Sequence, residues 1–194
     1  MDEFWIYLKL GFTHVLDINA YDHVLYLIAL VASYSFFQWK RVLWLVTIFT
    51  IGHTLSLVLA GYKILQVNLA WVEFLIPVSI ILAALYNLSI SGRRNQNKKK
   101  FLLYVVTLFF GLVHGFGFSS YFQMLASKKD QILSMLIEFA LGIELAQIIV
   151  VLLVLIISFI ARRVFSVATR DWILVISSIV IGMSLPILFE NWIF

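Results

Sequence analysis

ILSMLIEFALGIELAQIIVVLLVLIISFI, residues 132–160, decides the class of fold. At 1.5 Å of rise per residue, a helix needs about 20 apolar residues to cross about 30 Å of hydrocarbon. This run exceeds that length, so its helix must tilt or project past the headgroups. Comparable runs lie at 21–39, 42–60, 69–89, 101–122 and 172–193. Of the 194 residues, 63% are hydrophobic and 12% charged, where a soluble domain is about half apolar and a quarter charged. The mean hydropathy of +1.03 agrees. The expectation is an all-α integral membrane protein, a single polytopic transmembrane domain over 1–194 with about six transmembrane helices. Spans and short loops leave no room for a separate soluble domain.

Residues 3–16 are apolar through Phe4, Trp5, Ile6, Leu8, Leu10 and Phe12 but too short to span, and Gly11 weakens the helix. They read as an interfacial or re-entrant helix, a seventh span being the alternative. The start, MDEFWIYLK, is acidic where a secretory signal is basic, so the N-terminus is expected to be retained. The chain has no cysteine, which excludes disulfides and thiolate metal sites. Its net charge of +4 does not point to nucleic acid, because the basic residues fall in loop clusters.

Those clusters orient the chain. Lys40 and Arg41, then Arg93, Arg94, Lys98, Lys99 and Lys100, then Arg162, Arg163 and Arg170 share one side. Only Lys9, Lys63, Lys128 and Lys129 of the fourteen basic residues fall on the other. The positive-inside rule makes the first side cytoplasmic and places both termini outside. For a bacterial inner membrane that is the periplasmic side.

Depth then sorts the ionisable groups. Asp22 and His23 open the first span at its outer end, and His14 lies on the segment leading into it. His53 and His114 each sit eight residues before the outer end of their spans, about 12 Å deep. Glu73 and Glu138 lie within the first turns of spans three and five, and Glu144 is about 18 Å in. Every histidine and intramembrane acid is thus in the outer half or near the midplane, while the inner halves carry neutral groups such as Thr47 and Ser177. An ionisable side chain in hydrocarbon costs about 2.5–3.5 kcal/mol and is seldom left facing lipid. Several at one level imply a shared polar cavity open to the outside.

Imidazole and carboxylate without thiolate is a ligand set for zinc, nickel, cobalt or ferrous iron. His23, His53 and His114 are the expected direct ligands. Asp22 is a carboxylate ligand or the acceptor that fixes an imidazole tautomer, and His14 closes the site from the outer segment. Glu144, Gln147 one turn later, Glu73 and Glu138 line the cavity. Each has a plainer reading. A lone intramembrane histidine usually serves as an interhelical hydrogen-bonding group, and Asp17 or Asn19 serves equally well as the cap of span one. Glu73 is near enough to the surface to be hydrated. Thr50, Gly52, Thr54 and Ser56 around His53 read as close-packing residues, and Gly111, Gly115 and Gly117 around His114 allow close approach or a helix break.

Four motifs together resemble the HupE/UreJ membrane proteins: GFTHVLDINAYDHVLYLIAL (11–30), FTIGHTLSL (49–57), FGLVHGFGF (110–118) and EFALGIELAQ (138–147). They match, in order, that family's GxxHI…YDHxLF, FTxGHS, HGxGF and FNxGxExGQ segments. The resemblance implies nickel or cobalt handling, with His14, Asp22, His23, His53, His114, Glu144 and Gln147 as the family's polar positions. Two positions depart from it. Ala140 stands where the motif has Asn, and Ala146 where it has Gly.

Function remains open between classes. One reading is a permease that captures a divalent transition metal (Ni, Co or Zn) from outside. Its weak point is the absence of a second charged site in the inner half. The other is a zinc-dependent intramembrane hydrolase or transferase acting on a lipid or lipidated substrate in the outer leaflet, with Glu144 or Asp22 as general base. A metal sensor or assembly factor comes third. The expected partners are membrane lipid and a metal ion, and the oligomeric state is left open, a homo-oligomer included.

Overall fold

The computed structural model describes residues 2–91, 100–125 and 132–193. Lys128, Lys129 and the loop bearing Arg93, Arg94, Lys98 and Lys99 lie outside them. The described chain is helical and holds no strand: α1 (Asp2–Val15), α2 (Asp22–Val31), α3 (Trp39–Gly61), α4 (Leu69–Ile90), α5 (Lys100–Gly117), α6 (Ser119–Leu125), α7 (Ile132–Arg163) and α8 (Thr169–Glu190). Four are long and apolar enough to cross a membrane: α3 with the 3-10 turn before it, α4, α7 and α8. A fifth crossing forms if α5 and α6, bent by 56°, count as one span. Multi-pass insertion follows from these lengths.

The stretch 21–39 does not form one continuous helix. α2 has ten residues, about 15 Å of rise, or half the hydrocarbon. The chain then unwinds through Ala32–Ser35 before the 3-10 turn at Phe36–Gln38. Unwound backbone at membrane depth persists only where protein satisfies it. Here the Arg162 guanidinium donates to the Tyr34 carbonyl at 2.6 Å, and the Ser35 amide donates to Gln38 Oε1 at 3.0 Å. Arg162 also donates from Nε to the Ser158 carbonyl at 3.2 Å, so α7 clasps the break. An arginine that counts as an orientation signal in the sequence is also a structural tie.

Two glycine seams set the helix spacing. Gly11 faces the Phe139 carbonyl and Gly142 faces the Leu8 carbonyl, so α1 lies antiparallel along α7 with backbone against backbone. α1 therefore starts deeper along α7 and rises to His14 at its end. It is a wall of the bundle, packed lengthwise on a spanning helix. In the second seam, Gly52 faces Leu108 O, Gly111 faces Phe49 O, and Gly115 faces His53 O and the Ser56 hydroxyl. α3 and α5 run parallel there. Asn87 ties α4 to α2 by donating to Ala29 O at 2.6 Å.

A side chain at Gly142 would collide with the backbone of α1. Gly142→Leu is expected to lower the thermal midpoint in detergent by the cost of overpacking, about 1–3 kcal/mol, and to weaken metal binding by shifting His14. Gly182, with nothing within 4 Å of a built Cβ, provides the control: Gly182→Leu should melt like the native protein.

Candidate metal centre

Four helices bring histidines to one place: His14 from the last turn of α1, His23 from the first turn of α2, His53 from α3 and His114 from the last turn of α5. Ring centroids are 4.6 Å apart for His14–His23, 5.6 Å for His14–His53, 5.5 Å for His23–His53 and 5.2 Å for His23–His114. His23, His53 and His114 are buried and His14 is half-buried.

Hydrogen bonds fix two of the rings. His114 Nδ1 is 2.8 Å from the Phe110 carbonyl. A carbonyl only accepts, so Nδ1 carries the proton and Nε2 keeps its lone pair. His23 Nδ1 is 3.1 Å from Asp22 Oδ1, and Asp22 Oδ1 also accepts the His23 amide at 2.8 Å. A carboxylate bonded to one imidazole nitrogen while the other faces a shared centre is the usual outer support of a metal-binding histidine. Asp22 thus orients His23.

The remaining nitrogens have no partner. Nε2 of His14, His23, His53 and His114, and Nδ1 of His53, are buried without a hydrogen-bond partner among the described residues. Leaving a buried polar group unpaired costs about 1–3 kcal/mol, and a cation relieves several at once. One ligand atom from each of His14, His23 and His53 lies within 4.8 Å of the others. Tetrahedral ligation at about 2.1 Å would set nitrogens about 3.4 Å apart, so the three need a small inward movement to grip an ion. His114 stands behind this trio, its ring 5.2 Å from both Tyr26 and Phe49.

A surface depression of about 520 Å³, lined in part by Leu10, Thr13, His14, Asp17, Phe118 and Tyr121, borders the cluster at His14. Phe118 and Phe139 stack at 5.0 Å beside it. Asp17 does not cap α2. Its Oδ1 accepts from the Asn19 amide at 2.9 Å and side chain at 3.3 Å, shaping the loop, while Tyr21 at the cap position makes no side-chain bond. Asp17 is left as the acid at the mouth.

Glu144 and Gln147 form a second group one turn along α3. Thr47 donates to Glu144 Oε1 at 2.6 Å, and Thr50 donates to Oε2. Thr50 Oγ1 is also 3.1 Å from Gln147 Oε1, and Gln147 Nε2 is buried without a hydrogen-bond partner among the described residues. Thr47, Thr50 and His53 follow one another at intervals of three along α3, which puts them on one face. That spacing is the signal in the sequence for the two threonines, although Thr50 beside His53 reads first as a packing residue and Thr47 as a neutral polar group. Glu73 on α4 is exposed and Glu138 on α7 is half-buried, and neither joins the histidine trio.

By class this is a helical, multi-pass membrane protein whose clustered histidines could hold a metal ion. The chain belongs to the HupE/UreJ family: the family model described as HupE / UreJ protein matches residues 1–191. Membership makes it a membrane protein of nickel- and cobalt-transport type. No curated protein and no solved structure matches it.

Proposed function

We propose that this protein carries a nickel- or cobalt-type divalent cation across a bacterial inner membrane, capturing it at the histidine centre from the periplasmic side. The observation that carries the reading is the convergence of unpartnered imidazole nitrogens on four helices. Orientation rests on the bias of basic residues toward the Arg162 end, which leaves the His14 mouth and the end of α8 outside. The metal is cargo. His14, His23 and His53 would hold it, with His114 next in reach. Asp17 at the mouth favours cation approach.

Conduction needs binding firm enough to admit the ion and weak enough to release it, usually over several sites. Imidazole suits nickel and cobalt better than oxygen ligands do. The Glu144 group, one turn past His53, offers a weaker oxygen set for the next step. It places a charged group deeper than the histidine trio, while the inner half beyond it carries only neutral polar groups. Hydrolysis draws less support. Both Glu144 oxygens accept threonine hydroxyls a turn away from the trio, and Asp22 Oδ1 is committed to His23.

The test is flux into liposomes bearing the purified protein and a trapped nickel-sensitive dye. Saturable, protein-dependent entry is expected. Stoichiometric zinc held tightly with no flux would overturn the reading.

A further inference from the structure

A cavity of about 220 Å³, lined by Tyr26 but by none of the histidines, lies between α2, α4 and α5. It exists because α2 stops after ten residues and leaves the space below its last turn unfilled by helix. Most of its wall is apolar, including Leu30, Ala83, Leu103 and Val106. Three of its lining residues, Leu82 and Tyr86 on α4 and Leu102 on α5, are exposed on the bundle surface. In a spanning bundle that surface faces hydrocarbon, so the cavity opens sideways between α4 and α5. At its polar end stands Arg41, in the first turn of α3, with its guanidinium 5.4 Å from the Tyr34 ring. Its Nε is buried and has no hydrogen-bond partner among the described residues.

We propose that this cavity is a phospholipid site: an acyl chain enters between α4 and α5, and an anionic headgroup phosphate is bound by Arg41. Charge decides the occupant. A cation leaving the histidine centre would meet a positive guanidinium here, whereas a phosphate offers the geometry that arginine binds best. Apolar walls beside a single cation match an amphiphile with one acidic end. The chain's far end would touch Tyr26, which stacks on Phe49 at 4.8 Å and meets His114 at 5.2 Å. A bound lipid therefore supports the floor of the metal centre.

The experiment is native mass spectrometry of the full-length protein, titrated with phosphatidylglycerol or phosphatidylcholine of the same chains. The wild type should retain phosphatidylglycerol about tenfold better, the worth of a hydrogen-bonded charge pair. Arg41→Gln should erase that preference, while Lys40→Gln, altering the exposed neighbour stacked on Trp39, should keep it. Ala83→Trp, which fills the cavity, should lower retention of both lipids and tests the site without touching Arg41. Equal retention of the two lipids by the wild type would overturn the proposal. So would equal effects of Arg41→Gln and Lys40→Gln, or undiminished binding by Ala83→Trp.

Discussion

His53→Leu is expected to weaken nickel binding by more than about 100-fold, because residues that merely orient a ligand are already worth about 10–100-fold. His53 is fully buried and both its ring nitrogens lack hydrogen-bond partners among the described residues, so no described group uses its polarity. Leucine keeps most of the volume and removes the two unpaired atoms. The metal-free variant should therefore melt no lower than wild type, and by the cost of one buried unpaired group it should gain about 1–3 kcal/mol. Binding lost while stability is kept or gained is the signature of a residue retained for its ligand. Asp22→Asn belongs in the lower range, about 10–100-fold, since it acts through His23. Titration calorimetry beside thermal unfolding reads both effects. Nickel affinity within a few-fold of wild type in His53→Leu would remove the centre as assigned.

Glu144→Gln should separate capture from passage. The carboxylate lies a turn beyond the trio, held by Thr47 and Thr50, so its neutral analogue leaves the histidines in place. Nickel binding at the trio should stay near wild type, while flux into liposomes should fall about tenfold or more, as expected for losing a charged contact of about 1.5–3 kcal/mol. Thr47→Val should reduce flux less, because Thr50 still holds the carboxylate. If Glu144→Gln transports normally, the ion leaves the histidines by another route. Equal loss of binding and flux would instead make Glu144 part of the capture site.

Much of this was legible in the sequence because the controlling energies are local. Partition of an apolar run into hydrocarbon depends on composition and length, so the runs at 42–60, 69–89, 132–160 and 172–193 identify α3, α4, α7 and α8. The cost of an ionisable group in lipid likewise requires His23, His53 and His114 to find company, whatever the arrangement. Depth along a helix says nothing of the face a side chain occupies, which is why Glu73 is exposed and Glu138 half-buried at similar depth. Composition was also blind to the break after Val31. The residues of 21–39 are apolar enough for a full span, and the break is held by Arg162, 128 positions from Tyr34.

By itself, then, the sequence determined a multi-pass helical protein with its histidines gathered at one depth. Hydrophobic partition and the penalty on buried charge act on each residue independently of the others. Tertiary structure alone decided which histidines face each other, that Asp22 orients His23, and that Glu144 pairs with Thr47 and Thr50 from 97 and 94 positions away. It also decided that α1 belongs to the bundle, which rests on two glycines letting its backbone touch that of α7. Contacts of that kind depend on direction and close packing between distant segments, which no one-dimensional measure of polarity contains.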